Sequence, residues 1–121
     1  PLSSMSPTIV IDERGVLAVG GASGGPRIIT GTLQALLNAL SGMDAGAAVA
    51  APRLHHQWLP DTLRFEPGYL DAHPVLQSEL TERGHDLGAI PEVGVVQIIR
   101  RVEGGWQAAS DPRKGGAPAG R

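Results

Sequence analysis

Apolar and polar positions alternate between two periods along this chain, and each change of period marks an element. Thr8-Ile9-Val10-Ile11 is β-branched and mostly apolar, as a buried strand would be. Asp12-Glu13-Arg14-Gly15 reads as a turn, and Val16-Leu17-Ala18-Val19 as the return strand of a hairpin. A helical period then begins. Ile29, Leu33, Leu36, Leu37 and Leu40 recur at i, i+4, i+7, i+8 and i+11, one face of a helix starting near Arg27 and expected to pack on a sheet. Gly42 is placed to stop it. Asp44 is placed to cap a second, alanine-rich helix that Pro52 ends. Residues 53–60 show no helical period, and Thr62 to Phe65 is a candidate strand. A helix is expected from Pro74 to Arg83, stopped by Gly84. Val93 to Val102 is the strongest strand pattern, turned by Glu103-Gly104-Gly105 into Trp106-Gln107-Ala108-Ala109. The tail from Ser110 to Pro118 is turn-like, and no internal repeat is evident.

Between the hairpin and the first long helix lies Gly20-Gly21-Ala22-Ser23-Gly24-Gly25-Pro26-Arg27. Strand, glycine loop and helix in that order bring bare backbone N–H groups to a helix N-terminus. That end carries partial positive charge and unpaired donors, so it suits an anion or a developing oxyanion. Pro26 fits a first turn, where its missing N–H costs little. The Rossmann G-x-G-x-x-G spacing fails in every register. The phosphate-loop pattern starts at Gly20 and Gly25 but continues with Pro26 and Arg27 instead of Lys and Ser/Thr. Gly21-Ala22-Ser23-Gly24-Gly25 does match G-x-S-x-G, the nucleophile elbow. A plain glycine-rich turn is the competing reading.

Composition narrows the classes. The 121 residues suffice for one domain with a modest core, and aromatics at 3% leave that core to Ala, Val, Ile and Leu. A net charge of −2 gives no support for a nucleic-acid or membrane-surface partner. No apolar run reaches the ~20 residues a transmembrane helix needs. Without cysteine there is no disulfide, thiol catalysis or thiolate metal site, though the compartment stays open. His55 and His56 are adjacent, so in an extended segment they point to opposite faces, and no spaced Cys/His set supports a metal. No cofactor is expected. The abrupt start at Pro1-Leu2-Ser3 reads as a piece cut from something longer, and no signal peptide is visible.

Four blocks carry a resemblance. Pro1 to Thr8 (PLSSMSPT), Gly24-Gly25 before Arg27-Ile28, Pro52 to Pro60 (PRLHHQWLP) and Ala109 to Gly116 (ASDPRKGG) closely resemble γ-glutamyltranspeptidases, also called glutathione hydrolases, in the family's order. The resemblance identifies the C-terminal part of the family's small subunit. It implies an α+β chain, a partial copy of the four-layer αββα N-terminal-nucleophile hydrolase fold. It implies an autoprocessed precursor whose new N-terminal Thr attacks the γ-glutamyl amide of glutathione or a related compound. The acyl-enzyme then passes the group to water or to an amino acid or peptide.

Carried over, Ser3 and Ser4 hold the substrate α-carboxylate, and the Gly24 and Gly25 N–H groups form the oxyanion hole. The nucleophilic Thr, the upstream residues that grip the substrate amino group, and the large subunit with its carboxylate-binding Arg are missing partners. This chain alone is therefore expected to be inactive. The family implies a periplasmic or extracellular location. Ser23 stands where the family has Pro or Ala, and Arg121 replaces a common aromatic end. The alternatives are a serine hydrolase using Ser23 with Asp61, Asp71 or Asp86 and one of the histidines, or a non-catalytic truncated homologue.

Overall fold

A computed structural model describes residues 3–119. Pro1, Leu2, Gly120 and Arg121, and with them the start of the first block and the Arg121 end, lie outside the described residues. The fold is α+β: a four-stranded antiparallel sheet covered on one face by two helices, and a three-stranded sheet beside it.

The hairpin forms as its pattern predicts, but its first strand is not buried as expected: Ile9 and Ile11 are 62% and 69% exposed, on a sheet edge with one open face. Strands β1 (Thr8–Asp12) and β2 (Gly15–Ser23) pair with Asp12 opposite Gly15. Asp12 Oδ1 accepts the Arg14 N–H at 2.8 Å, and Gly15 takes a φ of 99° that side chains resist. β2 runs further than expected. Gly20 to Ser23 belong to the strand and pair with residues Val95 to Ile98, so the true loop is only Gly24, Gly25 and Pro26. Gly20 serves packing there. A Cβ on it would meet Leu36 Cδ2 at 3.1 Å.

Helix α1 (Arg27–Leu40) lies on the sheet, but not by the face expected. Ile28, Gly31, Thr32, Ala35, Leu36 and Ala39 are buried. Ile29, Leu33, Leu37 and Leu40 remain 53%, 55%, 54% and 44% exposed, and of the leucine stripe only Leu36, at 4%, packs inward. The two stripes differ by one residue, a rotation of about 100°. Close approach decides between them. A Cβ on Gly31 would meet the Val93 carbonyl oxygen at 2.9 Å, so the small-residue face must lie down. Helix α2 (Ala45–Ala50) is capped as expected, Asp44 Oδ1 accepting the Ala47 N–H at 2.9 Å.

Strands β3 (Leu54–His55), β4 (Leu63–Phe65) and β5 (Leu87–Ala89) form the small sheet, with β5 parallel to β4 and unforeseen in the sequence pattern. Helix α3 (Leu76–Glu82) falls inside its expected range and buries no residue. Strands β6 (Val95–Val102) and β7 (Gly105–Ser110) complete the large sheet in the order β1-β2-β6-β7. β6 starts two residues late because Gly94 takes a φ of 66°.

The core joins Ala18, Ala35, Leu36, Ala39, Ala45, Ala48, Val49, Val96, Ile98 and Ala109, small residues that let helix and sheet come close. The sheet's other face is uncovered. Ile9, Val19, Ile99 and Ala108 are cross-strand neighbours on it, with Ile9 and Ile99 exposed.

Candidate active site

β2 ends at Ser23 and α1 begins at Arg27, leaving Gly24 at φ 134° and Gly25 at φ 61° to make the turn. Both values favour glycine. The carbonyls point into the helix: Arg27 N–H donates to Gly24 O at 3.4 Å and Ile28 N–H to Gly25 O at 3.1 Å. Among the described residues neither the Gly24 nor the Gly25 N–H donates a backbone hydrogen bond. Two adjacent donors without a partner among the described residues therefore stand at the positive end of a 14-residue helix.

The two glycines are not equivalent. A Cβ on Gly25 would meet nothing within 4 Å, whereas one on Gly24 would lie 2.9 Å from Gly94 Cα. The segment before β6 thus runs against the loop, and Arg27 ties to it by donating from Nη1 to Glu92 O at 3.2 Å.

Ser3 and Ser4 precede β1. Because Thr8 lies opposite Gly20 in an antiparallel pair, the start of β1 and the end of β2 share one end of the sheet. Ser3 is exposed and Ser4 half-buried. Ser3 Oγ accepts the Met5 N–H at 3.2 Å, and the Ser4 carbonyl accepts Ser6 Oγ at 3.0 Å. The serines thus lead into β1 at the end of the sheet where β2 leads out to Gly24 and Gly25.

The elbow triad does not assemble. The candidate pair His56–Asp61 does form, but among the described residues no hydrogen bond joins it, or His55, to Ser23. His55 Nδ1 is 2.8 Å from Thr30 Oγ1 and its Nε2 2.9 Å from Gln57 Oε1. His56 Nε2 is 2.9 Å from Asp61 Oδ1, and its Nδ1 accepts the Trp58 N–H at 3.3 Å. Asp86 Oδ2 accepts from Thr62 Oγ1 at 3.0 Å, and His73 packs on Tyr69 with ring centres 5.1 Å apart. Among the described residues Ser23 hydrogen-bonds none of these histidines. No group of three or more metal-ligating side chains occurs among them.

The sequence reading missed a buried ion network behind the loop. Arg53 is fully buried, its Nη1 donating to Val93 O at 3.0 Å and Gly94 O at 3.2 Å. Its Nη2 donates to Val49 O and, at 2.8 Å, to Asp111 Oδ2. Glu66, also buried, accepts the Arg53 N–H at 2.8 Å and the Val93 N–H. Arg113 joins both acids, reaching Asp111 Oδ1 at 3.0 Å and gripping Glu66 through two nitrogens.

Burial pushes the Asp111 carboxyl up. The N–H groups of Val96 and Arg113, with the Arg53 and Arg113 guanidiniums, outweigh it and hold the group below the ordinary aspartate value. For Arg53 the balance runs the other way, and burial lowers its value despite Asp111. The cue was present in the blocks Pro52-Arg53 and Asp111-Pro112-Arg113, whose charges fall in otherwise turn-like segments. Glu66 gave no such cue.

Comparison with known proteins adds to this geometry. The family described as Gamma-glutamyltranspeptidase matches residues 1–121. The Glutathione hydrolase proenzyme of Escherichia coli (strain K12) is 43% identical over 115 residues, covering 93% of this chain and 19% of that protein. Glutathione hydrolase 2 of Arabidopsis thaliana is 37% identical over 134 residues, covering 99% of this chain and 23% of that protein. This chain therefore spans about a fifth of the length of these curated relatives. A crystal structure of a Helicobacter pylori Gamma-glutamyltranspeptidase mutant superposes with a TM-score of 0.84 at 42% identity, covering 94% of this chain and 63% of that one.

Proposed function

The chain belongs to the γ-glutamyltranspeptidase family, and from that premise we propose that it supplies part of the active site of an enzyme that transfers γ-glutamyl groups. The substrate is glutathione or a related γ-glutamyl compound, and the acceptor is water, an amino acid or a peptide. In this reading residues 1–121 are the C-terminal part of the small subunit. The nucleophile is the N-terminal Thr of an upstream segment, with its own α-amine as base. A large subunit completes the substrate site. The family resemblance favours a periplasmic or extracellular enzyme; among the described residues no helix is long and apolar enough to cross a membrane.

The observation that carries this reading is the pair of N–H groups at Gly24 and Gly25 without a partner among the described residues, at the end of the sheet where β1 begins after Ser3 and Ser4. When the Thr hydroxyl attacks the γ-carbonyl, negative charge gathers on its oxygen. Two fixed donors at a helix N-terminus stabilise that oxygen more than the neutral carbonyl, which accelerates the step. The same donors serve the second tetrahedral intermediate, when water or an amine attacks the acyl-enzyme. Ser3 and Ser4 hydroxyls hold the α-carboxylate by hydrogen bonds, fixing which carbonyl reaches the donors.

The uncovered surfaces agree with a partial copy of the αββα arrangement. In this reading the apolar row Ile9, Val19, Ile99 and Ala108 receives a second sheet, and the outward leucines of α1 receive further structure.

The test is chromophore release from a γ-glutamyl p-nitroanilide by the complete enzyme that carries this chain. Gly24→Ala is expected to cut kcat at least 10²-fold, since its Cβ collides with Gly94 backbone. Gly25→Ala meets open space and suffers only from its left-handed φ, so its loss is smaller. Undiminished turnover in Gly24→Ala would remove the loop from the chemistry.

A further inference from the structure

Gly94 stands where three segments meet. A Cβ on it would lie 3.4 Å from both the Ser23 and the Arg27 carbonyl oxygens. From the opposite direction, a Cβ on Gly24 would lie 2.9 Å from Gly94 Cα. Two bare backbones pass each other here with no side chain between them. The Ser23 carbonyl and the Gly24 N–H belong to one rigid peptide plane, so whatever turns the oxygen also turns the donor. Gly94 is itself fixed from behind. Its carbonyl and that of Val93 accept from Arg53 Nη1, and the Val93 N–H is held by Glu66.

We propose that Gly94 is a positioning residue for the oxyanion donors, acting through the Ser23–Gly24 peptide, with Arg53 as the brace that keeps it in place. The role rests on reading Gly24 and Gly25 as the oxyanion hole. A donor aimed at a developing charge loses most of its effect when it is turned away, while ground-state binding of the substrate hardly notices. A misplaced Gly94 should therefore lower kcat and leave KM nearly unchanged. A merely structural residue would instead lower the fraction of folded enzyme and leave kcat per active site intact.

The experiment places Gly94→Ala and, separately, Arg53→Lys in the complete enzyme and measures kcat per titrated active site and KM on a γ-glutamyl p-nitroanilide. Hydrogen exchange of the backbone amides in residues 20–28 is followed in parallel. Gly94→Ala is expected to lower kcat about 10²-fold with KM within about twofold, and to speed exchange at Gly24 and Gly25. Arg53→Lys keeps the charge beside Asp111 but cannot reach the same set of acceptors, and should show the same pattern more weakly. It also stands in if Gly94→Ala does not fold. Undiminished kcat per site in the folded variants, with unchanged exchange, would overturn the positioning role alone. No turnover by the unaltered enzyme would overturn the γ-glutamyl reading and this role with it.

Discussion

Ser23 is a residue whose neighbours decide its chemistry. It closes β2 opposite Val95, beside the open donors of Gly24 and Gly25. Its sequence neighbourhood fits an elbow nucleophile, yet among the described residues no histidine hydrogen-bonds its hydroxyl: His55 bonds to Thr30 and Gln57, and the candidate pair His56–Asp61 forms without Ser23. A serine hydroxyl without a base is a weak nucleophile. A fluorophosphonate probe should therefore leave Ser23 unlabelled in the folded protein, as peptide mass spectrometry would read. Stoichiometric labelling would favour the serine hydrolase. At this scale Gly24 and Gly25 were legible, because a glycine pair before a helix states its geometry locally. Gly94 was not. Its partners Ser23, Arg27 and Arg53 are far away along the chain, and within its own segment it read as one more strand residue.

Among the elements, α1 carries the lesson about helical period. Two apolar stripes lie one residue apart on it, and period alone favours the one with larger side chains. The stripe that packs is the one whose small members let the helix descend onto Gly20, Val96 and Ile98. Leu36 belongs to the packed side. Leu36→Ala should cost about 2–5 kcal/mol in chemical denaturation, while Leu37→Ala, more than half exposed in this chain, should cost less than about 0.5 kcal/mol. Equal losses would mean that the helix sits by its leucine face. The hairpins, the Asp44 cap and the alternation of β6 were legible because each is decided within a few residues. The short strand β5 was not. Its pairing with β4 supplies what its three residues lack in pattern.

Across the whole molecule, acid should act through Asp111. Its native carboxyl sits below the unfolded value of about 3.9, so it adds stability at higher pH. That contribution is lost as pH falls below the unfolded value and through the native one. Thermal unfolding followed against pH should show this acid limb, and Asp111→Asn should flatten it. At neutral pH the same change leaves Arg53 buried without its counter-charge and should cost about 3–5 kcal/mol. An unchanged Tm at neutral pH would mean that the network is not what holds the tail.

That network also imposes an order on synthesis. A ribosome makes Gly24 and Gly25 well before Asp111 and Arg113. Until Asp111 emerges, Arg53 Nη2 lacks its carboxylate partner and the brace on the Gly94 carbonyl is incomplete. The nascent chain can form its first hairpin and α1 from local contacts while its donor loop stays unset. Translation cut short after Ser110 would leave the Gly24 and Gly25 donors covalently present and the network behind their loop unmade.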